Sequence, residues 1–255
     1  MSRTLARVIG ALSGAVLVSA SVSSCVANDA SLIVIGLMAP PITTQQGGAC
    51  VYTPNITGPF ISTGTMDVAF EEEYVPILLL GNQLMPRGDQ ANYRIETDAI
   101  TVQGAIVRVT DSTGATLDNF TVPGDAFILP STGGVPGLAS FGTTLVSPKA
   151  ADAVRQSLNG TFGTKRLVAY ITVFGNTTGG THIESGEVGI PVNACFGCLV
   201  SFPAGSDDLA LPTQPNCLGG ASGGTSVLTP CVFGQDQPVD CRLCQGNVAC
   251  DPALR

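Results

Sequence analysis

The chain of 255 residues has no Trp and a single His, His182. The commonest general base and the largest stacking ring are therefore nearly missing. Charge is scarce as well: Asp, Glu, Lys and Arg make up 12% of the residues, where about a quarter is usual. The 11 basic residues are outnumbered by 19 acidic ones, giving a formal charge of -8 and an isoelectric point near 4.4. That balance lacks the cationic footprint a phosphate backbone requires, so nucleic acid is not an expected partner. Nor does any motif call for a cofactor. Little of the chain can be intrinsically disordered, because 44% of it is hydrophobic and the mean hydropathy is +0.35. What is plentiful is Gly, at 31, and Pro, at 17. Together they approach a fifth of the chain against about 12% ordinarily, and turns must be frequent.

Arg3 and Arg7 precede an uncharged run of small and aliphatic residues from Val8 to Val22, the pattern of a secretory signal. The run is short of the roughly 20 apolar residues a membrane helix needs. It ends Val22-Ser23-Ser24-Cys25, which resembles the lipobox of bacterial lipoproteins. The resemblance implies a lipid on Cys25 and a membrane partner reached through that lipid. With Ala27 rather than Asp two places on, it also implies sorting to the outer membrane, on its periplasmic or surface face. Ser19-Ala20-Ser21 offers an ordinary cleavage site and the alternative of a secreted, soluble chain. The stretch Ala30 to Met38 is apolar but suits a buried strand rather than a span.

Beyond Cys25 lie Cys50, Cys195, Cys198, Cys217, Cys231, Cys241, Cys244 and Cys250. An even number in an exported chain fits four disulfides, although their pairing is open among about 105 possibilities. Cys50 is remote from the other seven. If all eight pair, it must bond into the C-terminal cluster and fasten that segment to the body of the protein.

Period-two alternation dominates from Ala30 to Val192. In Arg166 to Phe174, Leu167, Ala169, Ile171 and Val173 share one face of a strand that is central or covered on both sides. Met66, Val68 and Phe70 alternate similarly. Ile100 and Val102 change register across Gln103-Gly104 to Ala105, Val107 and Val109, which predicts a β-bulge. Further strands are expected at Tyr74–Leu80, Thr116–Val122, Gly137–Val146 and Ile183–Val192, with a hairpin turn at Asn176–Thr181. One helix is signalled by Ser147 as N-cap, Pro148 at its first position, apolar Ala151, Val154 and Leu158, and Asn159-Gly160 as stop. The expected fold is all-β: an immunoglobulin-like β-sandwich with one short helix, followed by a small disulfide-rich loop module. The expected boundaries are 1–25 for the signal peptide, 26–195 for the sandwich and 196–255 for the Cys-rich module.

Gly175, Thr178-Gly179-Gly180, Glu184-Ser185, Pro191-Val192 and Cys195-Phe196-Gly197-Cys198-Leu199 together resemble a group of exported lipoproteins typical of myxobacteria and their relatives. The resemblance covers about Ala30 to Val200. It implies a sandwich closed by a Gly-Gly hairpin with a Cys-rich tail, and it brings no activity with it.

Several short motifs invite chemistry. Cys195-x-x-Cys198 and Cys241-x-x-Cys244 have the spacing of zinc knuckles or of a redox site, though export favours disulfides. His182-x-Glu184 before Cys195-x-x-Cys198 has the ligand order of zinc deaminases but lacks their proline and their spacing, so His182 reads as an exposed hairpin residue. Gly220-Ala221-Ser222-Gly223-Gly224 matches a nucleophile elbow without the strand and helix that expose its serine, and reads as a linker. Arg87-Gly88-Asp89 is the tripeptide that integrins recognise, on an expected loop. Glu71-Glu72-Glu73 and Asp207-Asp208 could serve calcium, but a solvated acidic loop is the simpler reading. Asn55, Asn119, Asn159 and Asn176 begin glycosylation sequons, which would matter on a eukaryotic secreted chain.

Anchor, sandwich and cross-linked tail without a convergent catalytic set point to a noncatalytic envelope lipoprotein, a binding or structural module presenting loops to a protein or glycan partner. The alternative is an envelope hydrolase or metal-dependent enzyme using acidic residues such as Glu184 and Glu187. Two carboxyls within about 10 Å lining a concave pocket would favour that alternative.

Overall fold

The computed structural model describes residues 31–41, 50–89, 91, 94–202, 217 and 229–251. Cys25, Asp207-Asp208 and Gly220–Gly224 lie outside them. Among the described residues, twelve strands and one α-helix follow in chain order. β1 (Leu32–Met38), β2 (Phe60–Ile61), β4 (Ile77–Asn82) and β7 (Gly137–Gly142) form an antiparallel sheet in the order β2-β1-β4-β7. β3 (Gly64–Asp67), β10 (Val188–Phe196), β8 (Gly163–Thr177), β5 (Ile100–Asp111) and β6 (Thr116–Ile128) form the second in that order, with β9 (His182–Glu184) on β8. β3 and β10 run parallel, and the remaining pairs in this sheet are antiparallel.

One apolar core fills the space between the sheets. Leu32, Leu78, Leu80 and Phe141 from the first sheet belong to the same buried cluster as Val107, Ala169, Ile171, Val173 and Val192 from the second. The result is the all-β, immunoglobulin-like sandwich that the alternation predicted. β8 is central, with Leu167, Ala169, Ile171 and Val173 inward and Val168, Tyr170, Thr172 and Phe174 half-buried on its outer face. The register shift between Val102 and Gly104 appears in both pairings of β5. The helix α1 (Pro148–Leu158) begins at Ser147, whose hydroxyl accepts from the Ala150 N–H, and ends at Asn159 in the left-handed conformation. Ala150, Ala151, Val154 and Leu158 are its buried face.

Several strand boundaries differ from expectation, and some of the shifts have a clear physical reason. The strand expected from Tyr74 begins at Ile77, because Tyr74 instead bridges Val146, which in turn ends β7 early at Gly142. β6 runs past Val122 to Ile128, because its Pro123 sits at the edge of the sheet, opposite Gly104, where a missing N–H is tolerated. The strand expected over Ile183–Val192 is broken after Glu184. Ser185 is the extra residue there: its N–H donates to the Val173 carbonyl and its hydroxyl accepts from the Val173 N–H.

The C-terminal segment lies against the sandwich. β11 (Val200–Ser201) pairs in parallel with β12 (Val239–Asp240), followed by 3-10 turns at Cys241–Leu243 and Val248–Cys250. Val239, Cys241 and Ala249 are fully buried and join the sandwich's own core cluster. The Phe233 ring stands edge-on to Phe70, and the Asn247 amide donates to the Ala69 carbonyl. The disulfides are Cys50–Cys231, Cys195–Cys198, Cys217–Cys241 and Cys244–Cys250. Four such bonds suit an oxidising compartment, extracellular or periplasmic. Among the described residues, no helix is long and apolar enough to cross a membrane.

Candidate functional site

The Cys50–Cys231 bond brings residues about 180 positions apart to one end of the sandwich, where a buried polar cluster backs an open groove. The cluster is built on β3 and the loop after it. Gly64 has no side chain because Tyr74 needs the space: a Cβ there would lie 2.2 Å from the Tyr74 hydroxyl oxygen. That hydroxyl donates to Asp236 Oδ2 at 2.7 Å, and the Thr65 N–H donates to Asp236 Oδ1 at 2.7 Å. The Asp236 N–H returns a bond to the Thr65 carbonyl, and the residue holds a φ of 56°, which non-glycine residues seldom adopt. Beside it, Gln235 accepts from the Val75 N–H and donates to the Glu73 carbonyl. Burial pushes the Asp236 carboxyl above the ordinary carboxylate range, against the opposing hydrogen bonds from Tyr74 and Thr65. Burial, and then the Asp236 charge, push both the Tyr74 and the Tyr52 phenols up.

Tyr52 is shared between this cluster and the groove. A crevice lined by Met38, Tyr52, Gln235 and Asp236 lies on one side. On the other is a cleft of about 250 Å³ lined by Met38, Pro41, Val51, Tyr52, Pro59 and Phe60 among others. Phe60 lies on the edge strand β2 with its ring over Gly36, where a Cβ would come within 3.1 Å of it. Val51 is 70% exposed and Phe60 39%, so apolar surface faces solvent here. Asn55 shapes the loop between them: its side-chain oxygen accepts from the Thr57 N–H and hydroxyl, and its carbonyl accepts from the Gly58 N–H. Thr53 and Asn55 supply polar groups at the rim. Tyr52 is the one titratable side chain among the described lining residues. Such a lining can hold an apolar or sugar-like face and orient it with a few hydrogen bonds. It contains no acid–base pair. Tyr52 and Phe60 carry little sequence signal: Tyr52 stands close to Cys50 and an Asn-x-Thr turn lies between the two, and neither feature identifies a groove.

The motifs that invited chemistry are dispersed. His182 is exposed on its hairpin, with Nε2 3.2 Å from Glu184 and Nδ1 3.3 Å from Asn176. Glu187 instead pairs with Arg108, whose guanidinium stacks 4.2 Å from the Tyr170 ring centre. Glu184 and Glu187 thus have separate partners, and neither lines the groove. The two Cys-x-x-Cys motifs do not converge: Cys195 bonds Cys198, whereas Cys241 and Cys244 bond Cys217 and Cys250. The Arg87-Gly88-Asp89 loop is closed from within. Glu96 accepts from the Arg87 and Gly88 N–H groups, and the Arg87 guanidinium pairs with Asp98 at 3.0 Å. Glu71-Glu72-Glu73 is not wholly solvated, since Glu73 accepts from Thr144 and only Glu72 of the three is exposed. Asn55, Asn119 and Asn159 are exposed and Asn176 half-buried.

No family model and no curated protein matches the chain. Among solved structures it is similar to the solution structure of a late embryogenesis abundant (LEA)-type protein, at 10% identity and a TM-score of 0.27. The match covers 49% of this chain and 59% of that one, and at that level it carries no argument.

Proposed function

We propose that the protein is a noncatalytic cell-envelope lipoprotein, anchored through Cys25 in the outer membrane, whose sandwich presents the Tyr52–Phe60 groove to a protein or glycan partner. The observation that carries this reading is the groove itself: exposed apolar and aromatic surface, rimmed by Thr53 and Asn55, with Tyr52 as the one titratable group among its described lining residues. Binding to such a surface needs no proton transfer, and a neutral phenol beside a half-buried carboxyl suits hydrogen bonding better than acid–base work. The disulfides support an envelope setting.

Titration of the soluble chain with cell-wall oligosaccharides, followed by tyrosine fluorescence, tests the glycan arm, since no Trp masks the signal. Crosslinking on intact cells followed by mass spectrometry tests the protein arm. Tyr52→Ala and Phe60→Ala should abolish either signal while leaving the melting transition in place. Retained binding in both variants would remove the groove from the proposal, and turnover of an oligosaccharide would replace it with the enzyme reading.

A further inference from the structure

Cys198 is the one exposed cysteine among the described residues, while its partner Cys195 is fully buried. Cys217, Cys241, Cys244 and Cys250 are also buried, and Cys50 and Cys231 are half-buried. Thiol–disulfide exchange requires a thiolate to reach a sulfur, so access selects which bond exchanges.

The loop carrying this bond is shaped by other means. Asp67, fully buried on β3, accepts from the Gly197 N–H at 2.8 Å, the Leu199 N–H at 3.1 Å and the Ala69 N–H at 3.1 Å. The Val68 N–H donates to the Cys195 carbonyl at 2.7 Å. Cys195 itself is held in the ladder between Asp67 of β3 and Thr164 of β8. The turn is made by Gly197 at a φ of 75°, where a side chain would be strained and would also meet Phe162 at 2.5 Å. With its cysteines only three positions apart, this bond restricts the unfolded chain least of the four.

We propose that Cys195–Cys198 is a redox-active disulfide that exchanges with the thiols of a partner dithiol while the fold stays intact. A thiolate of the donor attacks Cys198 Sγ. The Cys195–Cys198 bond breaks, its electron pair leaves on Cys195 Sγ, and that sulfur takes a proton from water. The donor's second thiolate then attacks its own sulfur in the mixed disulfide and releases Cys198 as thiolate. The donor is oxidised from dithiol to disulfide, and the Cys195–Cys198 pair gains the two electrons. The Asp67 carboxylate, within 4.8 Å of both sulfurs, disfavours a lasting thiolate on buried Cys195, so return exchange also passes through Cys198.

The test is equilibration of the full chain in graded glutathione and dithiothreitol buffers, followed by alkylation and mass spectrometry. Cys195 and Cys198 should become alkylated together at reductant levels that leave the other six protected, with an unchanged near-ultraviolet dichroism spectrum. In single variants, glutathionylation of Cys198 in Cys195→Ser should be at least about tenfold faster than of Cys195 in Cys198→Ser, because the exposed thiol reacts first. Opening of this bond only together with the other three, loss of the native spectrum on its reduction, or equal rates in the two variants would overturn the proposal.

Discussion

Replacing Cys50 and Cys231 together by serine removes the crosslink with the longest ring. Its cysteines are 181 positions apart, against 24 for Cys217–Cys241, 6 for Cys244–Cys250 and 3 for Cys195–Cys198. If a disulfide acts by shrinking the unfolded ensemble, its contribution grows with the logarithm of the ring: about 5 kcal/mol for the first bond and about 2 kcal/mol for the last. A domain of this kind is stable by about 5–15 kcal/mol, so the first loss is a large share of the whole. The folded state should be little altered. Gln235 still bonds Val75 and Glu73, Asp236 still bonds Thr65 and Tyr74, and Phe233 still meets Phe70. The damage therefore falls on the unfolded state, which expands and exposes more surface. Urea unfolding followed by far-ultraviolet dichroism should show a lower midpoint and a steeper slope for Cys50→Ser/Cys231→Ser, with an unchanged native baseline. Cys195→Ser/Cys198→Ser should lose less than half as much. Equal losses in the two double variants would refute the ring-length argument, and a changed native baseline would show that the bond shapes the folded state.

Asp236→Asn should become more stabilising relative to wild type as pH rises. Burial raises the folded carboxyl's value, so the wild-type group contributes most below its unfolded value, about 3.9, and loses that contribution as pH rises through the folded value; melting curves across that range check the sign. Asp118 behaves oppositely, because bonds from Ser147 and Lys149 hold its carboxyl low. Its contribution is present above the unfolded value and lost as pH falls through the folded one. Ser147→Ala removes both the helix cap and that partner, and should cost about 1–2 kcal/mol in urea unfolding, more near neutral pH than in acid. Cys25→Ser should lose both metabolic labelling by a fatty-acid analogue and membrane association; equal labelling of variant and wild type would sink the lipid anchor.

What was legible in the sequence is what neighbouring residues decide. Ser147, Pro148 and Asn159-Gly160 mark both ends of α1 by local hydrogen bonding and backbone preference, and the helix stands between them. Gln103-Gly104 betrayed the bulge because alternation must slip there. The interruption at Ser185 was not legible, because a serine hydroxyl replacing a ladder partner leaves the apolar pattern on either side intact. The candidate site was hidden for a stronger reason. Tyr74 and Asp236 meet across 162 positions and Gln235 and Val75 across 160, through polar contacts that no periodicity records. Cys50 alone pointed across that distance, by parity, without naming Cys231.

The C-terminal segment also settles which edges of the sandwich remain open. β3 is the outer strand of the larger sheet on one side and would present unpaired backbone groups. Instead, Met66 bridges Gln235, the Asp67 N–H donates to the Gly234 carbonyl and the Asp236 N–H to the Thr65 carbonyl. The tail is thus an edge cover, and its bonds to β3 are the ladder that a further strand would have supplied. No such cover lies over β2 among the described residues: this edge strand of the smaller sheet is two residues long and presents Phe60 to solvent beside the groove. A two-residue edge is too short to template strand addition, so it leaves aromatic surface accessible without inviting edge-to-edge pairing. The same disulfide that secures the cover at one edge, Cys50–Cys231, fixes Tyr52 at the mouth of the groove near the other. If the groove is the proposed binding surface, opening this crosslink should weaken binding there even where the native spectrum survives.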